Sequence, residues 1–264
     1  MKLKIFQVDA FTDRPFGGNP AAVVPLREWL PDETMQAIAL ENNLSETAFF
    51  VPRDEGDFDL RWFTPLIEVN LCGHATLATA WVLLNRLGHT GDSIIFHSRS
   101  GALTVTRDGD RLAMDFPAQP PKAAEIGNVG EALGVEPEAV LAAPYAMAVL
   151  DSEATVRATL PDFARVAALE IPELIITAPG MECDFVSRFF APACGIDEDP
   201  VTGSSHCILI PYWAERLGKS ELFARQVSSR GGALWCALKD DRVSIAGHAA
   251  PYLEGSITIR DFNR

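Results

Sequence analysis

Residues 188–218, RFFAPACGIDEDPVTGSSHCILIPYWAERLG, repeat the pattern of residues 61–88, RWFTPLIEVNLCGHATLATAWVLLNRLG. Both segments begin with Arg-x-Phe-x-Pro, carry a glycine at Gly73 and Gly203, and end with Arg-Leu-Gly. Further matches on either side keep the same order, and the offset between matched residues drifts only from 127 to 131. An ordered repeat of this length predicts two domains of one fold, related by a pseudo-twofold axis.

Each repeat contains a long apolar segment, at 74–88 and again after Gly203-Ser204. Because these segments are apolar almost all round, we expect two buried helices, each wrapped by a sheet. A composition shift at AQPPKAAEIGN marks a boundary near residue 118. The predicted domains are therefore 1–117 and 118–264, in agreement with the usual size of a domain.

Shorter elements surround the repeated segments. Apolar runs predict strands at 3–8, 44–52 and 57–63, and residues 31–43 have the pattern of a surface helix. In the second half, residues 129–143, VGEALGVEPEAVLAA, predict one or two short helices. This mixture of strands and buried helices predicts an α+β fold.

Charge and cysteine usage limit the function classes. The chain has 36 acidic residues against 22 Lys and Arg, a net charge of -14, which disfavours a nucleic-acid or anionic-membrane partner. Its five cysteines form no C-x-x-C pair, as is typical of a reducing compartment. The start has no apolar targeting segment, and no apolar run reaches the length of a membrane span. We therefore expect a cytoplasmic protein.

Gly73-His74 and Gly203-Ser204 open the two predicted buried helices. A helix start presents unpaired N–H groups and a partial positive charge, and a glycine lets a ligand approach the backbone. Under the repeat, both helix starts would face one cleft. This arrangement predicts a small anionic substrate, a carboxylate, bound without an arginine clamp.

Groups suited to proton transfer lie near these helix starts. Glu46 begins an apolar strand, His74 stands at one helix start, and Asp199 and Ser204 bracket the other loop. A buried carboxyl group can remove and return a C–H proton, which outlines an isomerase that needs no cofactor. The alternatives are an exposed glutamate at a strand end and, for His74 and Asp199, simple capping of helices and loops.

Other candidate sites are weaker. Cys194, His206 and Cys207 offer metal ligands, but adjacent ligands on one helix point apart, so no metal site is predicted. Asn19 ends the turn DRPFGGNP, where turn formation is one explanation for an asparagine. The chain carries no nucleophile elbow, phosphate-binding loop or dinucleotide fingerprint.

Five motifs in order, VDAFTDRPFGGNPAAVV, NLSETAFF, CGHATLATA, DEDPVTGSSHC and SSRGGALW, resemble the PhzF family of phenazine-biosynthesis-like isomerases. That family shares the diaminopimelate epimerase fold, and the likeness runs along essentially the whole chain. The resemblance implies two similar domains, each a mixed β-sheet rolled around a central buried helix. It also implies an active site in the cleft between them and, usually, a homodimer.

The resemblance assigns roles to single residues. Glu46 matches the family's proton-transferring glutamate, which would remove a proton and return it further along a conjugated cyclic acid. The other positions that match catalytic residues are His74, Asp199 and Ser204. The implied substrate-binding positions are Asn19, Ser45, Gly73, Ala75, Thr202 and Gly203.

Two alternatives remain open. Amino-acid epimerases of the same fold use two opposed cysteines, but here Cys72 faces a counterpart position held by Pro200 or a neighbour. Two-thiol chemistry is therefore disfavoured, and Cys72 is either a wall residue or a reactive thiol. A non-catalytic binding protein on the same fold is the second alternative, which substitution of Glu46 would distinguish from an enzyme.

Overall fold

The computed structural model describes residues 1–53 and 56–259. The chain forms two compact units, of which the first contains Met1–Asp115 and the C-terminal segment from Ala246, and the second contains Phe116–Ile245. Within the part of the chain that is described, no helix is both long and apolar enough to cross a bilayer.

The elements are numbered along the chain. The strands are β1 (Lys2–Ala10), β2 (Asn19–Pro25), β3 (Glu46–Pro52), β4 (Phe58–Phe63), β5 (Glu68–Val69), β6 (Ser93–Ser98), β7 (Gly101–Asp108), β8 (Arg111–Pro117), β9 (Lys122–Ala123), β10 (Ala139–Ala142), β11 (Ala146–Val149), β12 (Leu174–Pro179), β13 (Phe185–Ala191), β14 (Ile196–Asp199), β15 (Glu221–Gln226), β16 (Gly232–Lys239), β17 (Arg242–Gly247) and β18 (Ala249–Thr258). The helices are α1 (Asp32–Asn42), α2 (Gly73–Arg86), α3 (Val129–Leu133), α4 (Glu153–Ala158), α5 (Phe163–Ala167) and α6 (Gly203–Leu217), with a 3₁₀ turn at Pro192–Cys194.

The first unit is a mixed sheet with the apolar helix α2 at its centre. β2 runs parallel to β3, which pairs with β4 in antiparallel fashion; β4 then pairs antiparallel with β5 and parallel with β6. β6, β7 and β8 continue as an antiparallel meander. Most residues of α2 are buried, so the helix is covered by the strands as its composition predicts.

The second unit repeats this succession of pairings. β11 runs parallel to β12, β12 pairs antiparallel with β13, and β13 pairs antiparallel with β14 and parallel with β15. Helix α6 occupies the position that α2 has in the first unit and is buried along most of its length. The predicted α+β fold, with two similar domains of mixed sheet and buried helix, is confirmed.

The internal repeat is visible in matched side-chain contacts. In the first unit, Arg61 on β4 donates Nε and Nη2 to the carboxylate of Glu68 at 2.7 and 2.8 Å. In the second unit, Arg188 on β13 makes the same two-pronged contact with Glu198 at 2.7 and 2.9 Å. Each guanidinium also lies over the phenylalanine two residues further along its own strand, at 5.2 and 4.9 Å from the ring centre. The duplication therefore preserved a structural ion pair as well as the order of strands.

Two features differ from the pattern-based expectations. Within the segment 129–143, the helix α3 ends before Gly134, whose φ is 69°, and Ala139–Ala142 forms strand β10 against β11. A run of four small apolar residues fits a helix and a strand equally well, and only the pairing decides. The last strand, β18, pairs with β1 in the first unit, whereas the predicted second domain extends to residue 264.

Candidate active site

Glu46 and His74 form a buried ion pair in the first unit. Glu46 is the first residue of β3 and His74 is the second residue of α2. His74 Nε2 lies 3.0 Å from Glu46 Oε2, and the two side chains are 6% and 12% exposed. Within residues 1–53 and 56–259, no donor is aligned for a hydrogen bond to Oε2, so this contact is an ion pair rather than a well-directed hydrogen bond. Two predicted catalytic residues are therefore in contact.

Asn19 orients the imidazole ring from the other side. It is the first residue of β2, which runs parallel to β3 with Ala21 paired to Glu46. The side-chain Nδ2 of Asn19 lies 3.2 Å from His74 Nδ1, and Asn19 is fully buried. An amide can offer a donor to a neutral ring or, turned over, an acceptor to a charged one. Asn19 thus holds His74 with Nε2 directed at Glu46.

Cys72 stands beside the same ring as the N-cap residue of α2. Its Sγ lies 3.5 Å from His74 Nδ1 and 4.0 Å from Nε2. Burial raises the pKa of the Cys72 thiol to about 11, and the charge of Glu46 adds to the increase against the opposing effect of His74. Cys72 is therefore a protonated thiol near neutral pH.

His74 itself favours the charged form. Burial acts to lower the pKa of His74, but the negative charge of the neighbouring Glu46 carboxylate outweighs it, and the resulting pKa lies well above the usual histidine value. An imidazolium is the partner that a buried carboxylate needs, since a buried charge without a counter-charge is costly.

The remaining predicted residues of this unit surround the helix start. Ser45 and Gly73 are half-buried, and they directly precede Glu46 and His74 in the chain. Ala75 is completely buried, so its methyl group belongs to the core and only its backbone is suited to contact a ligand. No side chain caps the start of α2, which leaves backbone N–H groups for an anionic ligand.

In the second unit, Asp199 and Thr202 are joined directly. Asp199 ends β14, Thr202 is the N-cap residue of α6, and the Thr202 hydroxyl donates to Asp199 Oδ2. Gln226, at the end of β15, fixes both: its Oε1 accepts from the Thr202 backbone N–H at 2.8 Å, and its Nε2 donates to the Asp199 backbone carbonyl at 2.8 Å. Gln226 is almost fully buried, so the loop before α6 has a rigid support.

Ser204 follows Gly203 at the start of α6. Its Oγ accepts a hydrogen bond from the Tyr145 hydroxyl at 3.1 Å, so the hydroxyl hydrogen of Ser204 can be donated to another acceptor. Burial raises the pKa of Tyr145, against the opposing effect of this hydrogen bond, so the phenol stays a donor. Ser204 is half-buried and Gly203 is buried.

Sequence reasoning did not identify three contributors. Tyr145 and Gln226 support Ser204 and Asp199 but belong to no motif. In the alternating strand ELFARQ, however, Gln226 takes a place on the buried face, where a polar residue needs a hydrogen-bond partner. The third is Cys72 as a neighbour of His74. Among the described residues, Glu46, Cys72 and His74 form the group of His, Cys, Asp or Glu side chains whose donor atoms are close enough to hold a metal ion.

The discounted metal candidates are not assembled into such a group. Cys194 is exposed and contacts Glu173, while Cys207 is buried in α6. His206 is fully buried, and its Nδ1 lies 2.8 Å from the Thr202 carbonyl. Its Nε2 is buried and has no hydrogen-bond partner among the described residues, and burial lowers the pKa of His206 to about 4.

Comparisons with known proteins agree over the whole chain. The family model described as phenazine biosynthesis-like protein (PhzC-PhzF) matches residues 8–255. A Pseudomonas aeruginosa protein named an uncharacterized isomerase is 55% identical over 258 residues, which cover 97% of this chain and 99% of that one. A PhzF-family phenazine biosynthesis protein of Enterococcus faecalis has a crystal structure that matches with a TM-score of 0.96 and 45% identity, over 98% of this chain and 100% of that one.

A more distant structural match extends the fold family. A hydroxyproline epimerase of Agrobacterium vitis, solved with bound trans-4-hydroxy-L-proline, matches with a TM-score of 0.63 at 10% identity, over 99% of this chain and 94% of that one. At this identity the match shows a shared fold and nothing about the substrate.

Proposed function

This chain belongs to the phenazine biosynthesis-like (PhzC-PhzF) family of isomerases, and we propose that it moves a proton on a small carboxylate substrate by general acid/base catalysis through Glu46. The reaction would need no cofactor, since one carboxyl group can both remove and return the proton. The observation that supports this proposal is the buried ion pair of Glu46 with His74.

The ion pair suits Glu46 to a two-step proton transfer. Because His74 contacts Oε2, we assign Oε1 to the proton that leaves the substrate carbon. In the first step the carboxylate accepts this proton, and the electron pair of the broken C–H bond is delocalised into the substrate. In the second step the protonated Glu46 returns the proton to a different carbon, and the carboxylate is restored. His74 would hold the carboxyl group in place and balance its charge between the steps. Catalysis of this kind contributes about 10²- to 10⁴-fold.

The two helix starts are the proposed sites for negative charge on the substrate. Gly73 begins α2 and Gly203 begins α6, and neither helix start is capped by a side chain. Backbone N–H groups at a helix start stabilise an anion by about 0.3 to 1 kcal/mol per helix, and more when partly buried. We include Asn19, Ser45, Ala75 and Thr202 in the substrate-binding set because they adjoin these glycines, Glu46 or His74.

Asp199 and Ser204 are proposed to act on the substrate from the second unit. Gln226 holds the Asp199 backbone, and the Thr202 hydroxyl donates to the Asp199 carboxylate. Ser204 is held by the Tyr145 hydroxyl, so both side chains have a fixed hydrogen-bond partner within the unit. A serine hydroxyl that already accepts from a phenol is oriented to donate its own hydrogen, which suits it to a substrate carboxylate or to developing negative charge.

The thiol alternative gains no support. Burial raises the pKa of Cys72 to about 11, so the thiolate needed for proton abstraction is scarce at neutral pH. The loop from Asp199 to Gly203, which matches the region around Cys72, contains no cysteine. We therefore propose no thiol-dependent epimerisation.

Solvent deuterium exchange tests the proposal directly. The purified protein is incubated in D₂O with a panel of small cyclic and amino carboxylates, and carbon-bound deuterium is read by NMR. Glu46→Gln should reduce exchange by at least about 100-fold, whereas Glu41→Gln, an exposed glutamate near the end of α1, should exchange like the unmodified chain. Full exchange by Glu46→Gln would refute the role of Glu46. Binding without any exchange would instead support the non-catalytic alternative.

A further inference from the structure

The ion pair of Glu46 and His74 has a third member of different chemistry. Cys72 adds a sulfur atom to the carboxylate oxygen and the imidazole nitrogen, and donor atoms of the three residues all lie within 4.8 Å of one another. We propose that this cluster is a binding site for a zinc-class divalent cation, such as Zn²⁺ or Co²⁺.

The spacing of the donor atoms is close to that of a tetrahedral site. Zinc bonds of about 2.3 Å to sulfur and 2.0 to 2.2 Å to nitrogen and oxygen place neighbouring ligands about 3.3 to 3.6 Å apart. His74 Nε2 lies 3.0 Å from Glu46 Oε2 and 4.0 Å from Cys72 Sγ. One distance is slightly short and the other slightly long, so small rotations of the Glu46 and Cys72 side chains would admit the ion.

The types of ligand select the class of cation. A thiolate and a neutral imidazole favour Zn²⁺ and Co²⁺, whereas Mg²⁺ and Ca²⁺ prefer oxygen ligands alone. Binding would therefore release to the solvent the protons that Cys72 and His74 carry in the ion-free protein. Three protein ligands also leave one tetrahedral position for water or for an oxygen of a small anion. The site would therefore be of the open kind rather than a closed structural site.

The ligands are held by regular elements rather than by mobile loops. Cys72 and His74 belong to the start of α2, and Glu46 begins β3. The Thr76 hydroxyl donates to the Cys72 carbonyl at 2.6 Å, which fixes the backbone of the sulfur ligand. Asn19 faces His74 Nδ1 at 3.2 Å and keeps Nε2 turned toward Glu46. A metal-bound histidine usually donates its second ring N–H to an acceptor. Asn19 provides that acceptor when its amide is turned over so that Oδ1 faces Nδ1.

Cation binding goes beyond the proposed isomerase reaction. An ion held by Glu46 would compete for the carboxyl group and inhibit proton transfer, a consequence that rests on the proposed function. The binding itself does not rest on it, because the ligands act as ligands whether or not the enzyme turns over. The test therefore measures cation binding and not enzyme activity.

Cobalt spectroscopy provides that test. The full chain is stripped with a chelator and titrated with Co²⁺, and a tetrahedral site with a thiolate ligand shows strong visible bands and a near-ultraviolet sulfur-to-metal charge-transfer band. We expect saturation at one ion per chain and displacement of the bands by one equivalent of Zn²⁺. Absence of saturable binding, or bands typical of an octahedral oxygen site, would overturn the proposal.

Variants identify the ligands. Cys72→Ser should abolish the charge-transfer band, and His74→Gln and Glu46→Gln should each weaken Co²⁺ binding at least tenfold. Cys194→Ser is the matched control, since Cys194 is the exposed cysteine and lies beside Glu173. A band that persists in Cys72→Ser or disappears in Cys194→Ser would place the ion elsewhere and refute the site. If Cys72→Ser fails to fold, the other two variants decide the question.

Discussion

His74 Nε2 lies 3.0 Å from Glu46 Oε2, although the two residues come from different elements, a helix start and a strand start. Neither residue reaches this contact through its own local structure. The contact exists because β2 runs parallel to β3 and α2 packs against both strands. The orientation of the candidate base is therefore a property of the fold of the first unit.

The exchange activity should depend on His74 as a positioning residue. His74→Gln removes the counter-charge of Glu46 but keeps a polar side chain, so we expect deuterium exchange to fall at least about tenfold because a buried carboxylate without its partner is costly. His89→Gln, a half-buried histidine in the same unit, should leave exchange unchanged. Equal rates for the two variants would show that the ion pair has no part in catalysis.

The stability contributed by His74 should depend on pH in one direction. Its folded-state pKa is raised by the Glu46 carboxylate against the lowering effect of burial. A histidine whose pKa is raised by folding stabilises the folded protein fully at pH values below its unfolded-state pKa of about 6.5. This contribution is lost as the pH rises through the folded-state pKa. Urea unfolding of the chain and of His74→Gln should therefore differ most near pH 6 and converge at higher pH. A difference that grows with pH would contradict the raised pKa.

His206 should change the pH dependence of stability in the direction opposite to that of His74. Burial lowers the pKa of His206 to about 4. Between pH of about 6.5, the ordinary histidine pKa, and pH of about 4, the unfolded chain therefore binds a proton that the folded chain does not. Stability should fall as the pH falls through this window, by up to about 3 kcal/mol for a shift of this size. His206→Gln removes the titrating group and should flatten the dependence of unfolding free energy on pH between 6.5 and 4. Parallel curves for the two proteins would exclude His206 as the cause.

Gln226 should be important for the stability of the second unit and for the exchange activity, although it is not a titratable group. Its side chain makes three hydrogen bonds to Asp199 and Thr202, at 2.8, 2.8 and 3.2 Å. Gln226→Leu would leave several buried groups unsatisfied, at about 1 to 3 kcal/mol each, and should lower both the unfolding free energy and deuterium exchange. Gln36→Leu removes one hydrogen bond, to the Thr64 carbonyl, and serves as the control. A smaller loss from Gln226→Leu than from Gln36→Leu would be evidence against this role.

The sequence predicted the features that depend on repetition and on strong patterns. The two buried helices were evident from segments that are apolar on every side, and Glu46 and His74 were found because each lies at the start of an element. Strand Ala139–Ala142 was missed because a four-residue apolar run carries no clear period. Strands were expected up to the C-terminus, but the sequence of β18 contains no information about its partner, since register and pairing are decided by the rest of the fold.

Contacts between side chains were predicted less completely than helices and strands. Cys72 and His74 were recognised separately, but their contact depends on the bend of the chain as it enters α2, where Cys72 is still extended with φ of -147°. The roles of Gln226 and Tyr145 could not be read from spacing, because each acts through a partner far along the chain. Hydrogen-bond partners of this kind become visible only when the strands are placed.

The pairing of β1 with β18 joins the two ends of the described chain, from Lys2 with Thr258 to Ala10 with Ala249. During synthesis the second unit, a continuous segment from Phe116 to Ile245, therefore leaves the ribosome complete while the first unit still lacks a strand. The first unit is therefore translated first but completed last. Until then β1 presents an open edge, which is a place where nascent chains pair wrongly. A chain that ends before residue 249 would thus lack the closing strand of the unit that holds Glu46 and His74, although it contains every residue of the second unit.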